Sequence, residues 1–367
     1  MHIMISAGGT GGGVYPALAV LQALSNRAEA VLWVGGEGGM EGDLVMREQV
    51  PYRTIPAAGV HGVSLKSLPG NILRLVRGFF ASRRILKEFD PDVLFVTGGY
   101  VAVPMALAGI SRQSLLYVPD IEPGLALKTL AHYSDHIALT AEPSRSYFPH
   151  KPSTVTGYPT RQALDRWTKE TGREFLSIAS PKPVLLVFGG SKGARSINQT
   201  VTAHLETLLA RAEIIHISGS LDWQMVQEAR EKLDEARRHE YHIFPYLHEM
   251  GAALASADLV ISRAGASILG EYPHFGLPSI LIPYPYAWRY QKVNADYLAG
   301  HGAAVILEND DLRQHLVETT LNLLADPQQL EKMRGAVRQL FMENSAGKIA
   351  GLLEKLVVRQ GSEVTNG

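Results

Sequence analysis

Cysteine is absent from this 367-residue chain. That one absence excludes disulfides, thiolate nucleophiles, iron–sulfur clusters and Cys-ligated zinc, and it fits a reducing compartment. An excess of one charge sign is lacking too: 35 Lys and Arg against 36 Asp and Glu leave a formal charge of -1. A nucleic-acid binder carries a basic surplus, so no nucleic-acid partner is expected. There is no clean membrane span either. The longest uncharged stretch, Val93 to Ser111, contains Gly98, Gly99 and Pro104, which divide it into strand, turn and helix. The opening Met1-His2-Ile3-Met4-Ile5 has no basic flank and runs straight towards glycines, unlike a secretory leader. No low-complexity tract occurs.

What is present is an alternation of short apolar runs and longer helical patterns. The predicted strands are Ile3–Ser6, Val31–Val34, Val93–Thr97, Leu115–Val118 and Ile137–Thr140, then Val184–Phe188, Ile214–Ser218, Leu259–Ser262, Ile280–Pro283 and Ala304–Leu307. Their apolar residues are continuous rather than alternating, as in parallel strands buried on both faces. Tyr15–Ser25, Ala194–Leu209 and Asp222–Arg238 are long enough for crossover helices. Two rounds of βαβα predict an α/β chain of two doubly wound, Rossmann-like domains with an interdomain cleft. Prolines 149, 152, 159, 181 and 183 mark the junction region. The expected domains are residues 1–160 and 161–340. One helix is expected from about Pro327 to Val358, its part from about 341 packing back on the first domain, and 359–367 are expected to be a disordered tail.

Glycine-rich turns follow the first strand of each half. Gly8-Gly9-Thr10-Gly11-Gly12-Gly13 leads towards Pro16, and Gly189-Gly190-Ser191-Lys192-Gly193 leads to Arg195. Glycine permits close backbone approach, and a helix start offers unpaired N–H groups to an anion. The first turn misses the dinucleotide fingerprint because Val14 stands where Gly or Ala is needed, and the second lacks the Lys-Ser/Thr ending of a P-loop. A diphosphate or sugar diphosphate suits the pair; plain strand-to-helix turns are the alternative. A third segment, Ser262-Arg263-Ala264-Gly265-Ala266-Ser267-Ile268-Leu269-Gly270-Glu271, follows another strand, and Gln291-Lys292-Val293-Asn294-Ala295 opens a later helix. Small residues at a helix start suit a phosphate. Glu271, deeper in that helix, can accept both ribose hydroxyls, and Gln291 can read sugar hydroxyls.

In order and spacing these segments, together with Asp90-Pro91-Asp92, Gly98-Gly99-Tyr100, and Gly157 with Pro159 and Arg161, resemble the MurG family. Its members are N-acetylglucosaminyltransferases that add GlcNAc to a lipid-linked muramyl-peptide in peptidoglycan synthesis, and the resemblance covers nearly the whole chain. It implies a GT-B fold and an inverting hexosyltransferase acting on UDP-GlcNAc and a lipid-linked acceptor (lipid I to lipid II). It implies no metal or other cofactor. Donor contacts are implied for Thr10, Gly11, Gly12, Arg161, Ser191, Lys192, Leu247, Ala264, Gly265, Ala266, Glu271, Gln291 and Asn294. Among these, Ser191 meets the diphosphate, Glu271 the ribose, Gln291 the sugar, and backbone near Leu247 the uracil. Three positions and one segment depart from the family pattern. Gly13 and Tyr290 replace His, Lys192 replaces Gln, and Tyr117-Val118-Pro119-Asp120 replaces the HEQN-like segment. The same fold with another glycolipid or small acceptor, a nucleotide-sugar-binding protein with impaired catalysis, and a nucleotide-sugar epimerase remain as alternatives.

Transfer requires a base for the acceptor hydroxyl and positive charge or N–H groups for the departing diphosphate. With Gly13 in place of His, Asp120 is the leading candidate base, with Glu122 and His61 behind it; Asp120 as a turn former before Pro123 is the alternative. Asp90 and Asp92 resemble a metal-binding DxD pair, but their place before a buried strand favours a capping turn. His132 and His136 straddle a helix end and a strand start, a poor frame for a metal. Residues 71–89 interleave Ile72, Leu73, Leu75, Val76, Phe79, Phe80, Ile85 and Leu86 with Arg74, Arg77, Arg83, Arg84 and Lys87 at helical spacing. This suits either an anionic membrane surface or an ordinary crossover helix. A cytoplasmic enzyme, peripheral on the inner face of the cell membrane, is the location expected.

Overall fold

The computed structural model describes residues 1–8, 11–39, 41–59, 64, 66–190, 193–285 and 290–364. The chain divides into two compact units. The first joins Met1–Arg161 to Met342–Gly367, and the second is Gln162–Phe341.

Strands β1 (His2–Ala7), β2 (Ala30–Gly36), β3 (Tyr52–Ile55), β4 (Val93–Gly98), β5 (Gln113–Val118), β6 (His136–Leu139) and β7 (Ser153–Val155) form the first unit's sheet. It has seven parallel strands in the order β3-β2-β1-β4-β5-β6-β7. In the second unit, β8 (Val184–Phe188), β9 (Glu213–Ile217), β10 (Tyr241–Phe244), β11 (Leu259–Ser262), β12 (Ser279–Leu281) and β13 (Ala304–Ile306) form a six-stranded sheet. Its order is β10-β9-β8-β11-β12-β13, again all parallel. Both orders reverse direction beside the first strand, between β1 and β4 and between β8 and β11. In doubly wound sheets the crevice outside the strand ends at that reversal is where ligands bind.

Central strands carry the unbroken apolar runs because both faces are covered: all of β4 and the last five residues of β1 are buried. Three strands have no such signature. β3, β7 and β10 are sheet edges of three or four residues, half exposed, and short edges need no continuous apolar run.

Several predicted helices have different limits. The first begins at Gly11, not Tyr15, so the glycine run is itself the opening turn and Pro16 lies inside the helix. The packing there is close: the Thr97 hydroxyl donates to the Gly13 carbonyl at 2.8 Å, and a Cβ on Gly13 would stand 3.2 Å from Thr97 O, a tight contact. The segment 194–209 breaks at His204 into Arg195–Ala203 and Leu205–Leu209. The segment 222–238 breaks where the Asp234 side chain accepts from Arg237 N at 2.9 Å and caps a new helix, Glu235–His239. The single helix expected over 327–358 is two helices. Pro327–Arg338 is capped by Asp326, and Ser345–Val364 starts after Asn344 at a φ of 53°. The second helix runs through Val364, so residues 359–364 are helical rather than a disordered tail. It packs on the helix Gly11–Leu24, on β5 and on β4, all in the first unit, burying Ile349, Ala350, Leu353 and Leu356.

Candidate functional site

In the second unit the sheet reversal brings together three predicted segments. β8 exits into Gly189-Gly190, and at Gly193 a Cβ would collide with the Ser218 carbonyl and φ is +77°. Only glycine satisfies both constraints. The helix Arg195–Ala203 follows, with no side-chain cap and no acid in its first turn, so its N–H groups are presented to an anion. Ser191 and Lys192, the expected diphosphate contacts, lie outside the described residues.

From the neighbouring β11 the chain turns through Ala264, Gly265 and Ala266 into the helix Ile268–Phe275, again without a side-chain cap. A Cβ on Gly265 would meet open space, whereas Ala264 and Ala266 are buried. Glu271 is half-buried in that helix, its N–H bonded to Ser267 O at 2.9 Å. The next residue inward, Tyr272, is fully buried and bonds the Ser262 hydroxyl at 2.5 Å, with burial pushing its phenol well up. This pins the helix to the end of β11. Asn294 is buried, its amide donating to Ala264 O at 3.2 Å, and the Gln291 Oε1 accepts from Tyr284 N at 2.8 Å. Both residues brace the turn and the strand exit that form this crevice. Leu247 is half-buried in the loop after β10.

A polar relay that the sequence pattern does not single out underlies the glycine turn. Asn198 donates from Nδ2 to Ser218 O (2.8 Å) and to Asp222 Oδ2 (2.9 Å), and its Oδ1 faces His216 Nε2 at 2.9 Å. With Asn198 oriented by two acceptors, His216 carries its proton on Nε2, and Tyr241 donates its hydroxyl to Nδ1 at 2.7 Å. His216 is completely buried, which pushes its pKa down to about 3. Asp222 closes the chain by accepting from Arg195 Nε at 2.9 Å. The available signal was one polar residue inside the apolar run Ile214-Ile215-His216-Ile217.

In the first unit the reversal lies between Gly8 and Gly98-Gly99. Gly99 has a φ of +86°, and a Cβ there would collide with the Gly8 carbonyl. Gly11 and Gly12 form the start of the adjacent helix, while Gly9 and Thr10 lie outside the described residues. Beside Gly8, the buried Glu41 accepts from Gly36 N at 2.8 Å. Arg161 places its guanidinium 4.7 Å from the ring centre of Tyr15.

Two of the three candidate bases, Asp120 and Glu122, fall among the described residues. Asp120 is half-buried just beyond the end of β5, close enough to Tyr117 to act on its phenol. Glu122 is buried and ion-paired to Lys128 at 3.2 Å. His61 lies outside the described residues. Tyr117 itself is core, bonded to Thr140 Oγ1 at 2.7 Å, and burial pushes its phenol well up.

The two doubtful metal motifs are engaged otherwise. Asp90 closes the helix Leu68–Phe89 in the left-handed conformation, and Asp92 accepts from His2 N at 2.7 Å. His132 Nδ1 is 3.0 Å from Lys128 O, and His136 Nε2 is 2.9 Å from Thr154 Oγ1. Among the described residues no group of three or more His, Asp or Glu could hold a metal. A cavity of about 540 Å³ opens at the opposite ends of β2 and β3, lined by Tyr52, Arg53, Glu88 and Phe89 among others; none of the candidate residues lines it.

Comparison with known proteins finds relatives that match nearly the whole chain. The N-terminal domain of glycosyltransferase family 28 matches residues 3–139, and the C-terminal domain of that family matches residues 184–349. A relative from Roseiflexus sp. (strain RS-1) is 37% identical, over 98% of this chain and 96% of its own length. It is named a UDP-N-acetylglucosamine–N-acetylmuramyl-(pentapeptide) pyrophosphoryl-undecaprenol N-acetylglucosamine transferase. One of the same name from Desulforamulus reducens is 35% identical, over 98% of this chain and 100% of its own length. Among solved structures, MurG of Acinetobacter baumannii superposes with a TM-score of 0.76 at 26% identity, covering 96% of this chain and 99% of that one. A UDP-GlcNAc 2-epimerase from Neisseria meningitidis, at 14% identity and a TM-score of 0.67, shares the fold.

Proposed function

Because the chain belongs to glycosyltransferase family 28 and, within it, to the MurG family, we propose that it transfers GlcNAc from UDP-GlcNAc to a lipid-linked muramyl-peptide, the step from lipid I to lipid II. One observation carries this reading: in a chain matched almost end to end to transferases of that name, the glycine turn, the Ala264–Ala266 turn and the Glu271 helix all lie at the sheet reversal of the second unit. An acceptor oxygen bonds to the anomeric carbon as the bond to the diphosphate breaks, UDP departs, and the hydroxyl proton passes to a base. Asp120 is that base in our reading, supported by its place beyond the end of β5; Glu122 is already tied to Lys128. Lys192 and the uncapped N–H groups after Gly193 and Gly265 stabilise the charge on the departing UDP, and no metal is invoked.

Contact with the lipid falls to the helix Leu68–Phe89. Ile72, Leu73, Val76 and Phe80 are all exposed on it, whereas Ile85 and Leu86 are buried. A Cβ on Gly78 would collide with the Pro56 carbonyl, which fixes this helix against the domain. An exposed apolar stripe flanked by Arg74, Arg77 and Arg83 suits an anionic leaflet, which supports a peripheral site on the inner face of the cell membrane as our reading. No described helix is long and apolar enough to cross a membrane. The deciding experiment supplies labelled UDP-GlcNAc with extracted lipid-linked muramyl-pentapeptide, with and without EDTA. Label moving into the lipid fraction in both conditions is expected. Hydrolysis or epimerisation without transfer would reject the proposed activity, and transfer abolished by EDTA would reject the metal-free route.

A further inference from the structure

Two arginines border the glycine-turn crevice of the second unit, and their charges are handled differently. Arg195 is neutralised by Asp222 at 2.9 Å. Arg263, the first residue after β11, has only neutral acceptors among the described residues. Its Nη1 donates to Ile282 O (3.2 Å) and Pro283 O (3.4 Å), and its Nη2 donates to Ser196 Oγ (2.9 Å) and Asn309 Oδ1 (3.0 Å). Ser196 in turn bonds Asn309 at 2.7 Å, and the guanidinium lies 5.4 Å from the Tyr284 ring centre. One side chain therefore spans the exits of β11 and β12, Asn309 three residues beyond β13, and the opening turn of the helix that follows the glycine turn.

Burial lowers the Arg263 pKa, partly opposed by Tyr284, yet a guanidinium remains charged. A half-buried cation held, among the described residues, only by carbonyl, amide and hydroxyl oxygens is a desolvated charge with no counter-ion among them. Neutral acceptors satisfy its geometry and leave its field in place. That field lies beside the uncapped start of the helix Arg195–Ala203, where the helix dipole has the same sign.

We propose that Arg263 is a positioning residue of the donor site: it ties the loops around the crevice together and supplies a fixed positive charge whose counter-ion is the diphosphate of the bound nucleotide. This rests on the donor reading above and extends it to a side chain that acts through Ser196 and the surrounding backbone rather than by touching the reacting atoms. A clamp alone would support every part of the nucleotide equally, whereas a counter-charge favours the phosphates.

The test is calorimetric titration of the full chain with UDP and, separately, with uridine, for the wild type, Arg263→Gln, Arg263→Met and Arg263→Lys. Loss of the charge is expected to weaken UDP by roughly ten- to a hundredfold while leaving uridine within about twofold. Arg263→Lys should recover part of the UDP affinity. Should Arg263→Gln lose its near-UV circular dichroism, Arg263→Met repeats the charge removal with a side chain that is inexpensive to bury. Parallel losses for UDP and uridine, or no loss for either, would overturn the counter-charge. A wild type that binds neither ligand would remove the donor reading itself.

Discussion

Replacing His216 by Gln should flatten the pH dependence of the second unit's stability. In the native chain His216 is held neutral by burial, with its pKa at about 3, against an ordinary value of 6.5. The unfolded chain therefore binds a proton at this residue as the pH falls below 6.5, and the folded chain does not. Protons taken up only by the unfolded state favour unfolding, so the stability present above pH 6.5 drains away on acidification and levels out near pH 3. Between pH 7 and pH 5 the linkage relation gives a loss of about 2 kcal/mol from this one group. Gln cannot titrate, so His216→Gln lacks that loss even though it starts less stable, with the Tyr241 and Asn198 bonds disturbed. Urea unfolding at pH 7, 6 and 5, followed by hydrogen-exchange protection of the β9 amides, isolates the second unit. The gap between wild type and variant should narrow by about 2 kcal/mol from pH 7 to pH 5. Parallel curves would refute the neutral buried imidazole and the direction of the relay drawn from it.

Asp120→Asn should reduce turnover by roughly two orders of magnitude or more while UDP affinity holds; unchanged kcat in the transfer assay would remove Asp120 as the base. Gly193→Ala forces a Cβ towards the Ser218 carbonyl at a positive φ and should cost about 1–3 kcal/mol in urea unfolding, with weaker UDP binding; a neutral result would mean that the turn relaxes freely. The double substitution Val76→Glu, Phe80→Glu places acids on exposed positions of the Leu68–Phe89 helix. Sedimentation with vesicles rich in anionic lipid should fall severalfold while the melting temperature stays put, and undiminished sedimentation would move the membrane contact elsewhere.

What the sequence revealed and what it concealed divide along physical lines. Strands buried on both faces are visible because their residues are mostly apolar: β4, wholly buried, opens Val-Leu-Phe-Val before Thr97 and Gly98. Edge strands such as β7, Ser153–Val155, bury little and look like loop. Glycine turns could be located because backbone collisions at Gly99 and Gly193 leave no other residue possible, yet the same glycines concealed a helix start, since Gly11 to Gly13 has low helical propensity and is held helical by packing on Thr97. The polar braces were the least accessible. Asn198 meets His216 across 18 residues, and Arg263 meets Asn309 across 46. Such pairings depend on the tertiary fold, and no local periodicity announces them.

The chain leaves the first unit after Arg161 and returns only at Met342. During synthesis the first sheet therefore emerges without the helix Ser345–Val364, whose Ile349, Leu353 and Leu356 are buried when that unit is complete. The intervening 162–341 segment is continuous and can fold as soon as it clears the ribosome. The helix made after the second unit thus completes the sheet made before it. A nonsense codon near residue 342 would leave the second unit whole and the first one unfinished, with apolar surface exposed for proteases and chaperones to recognise.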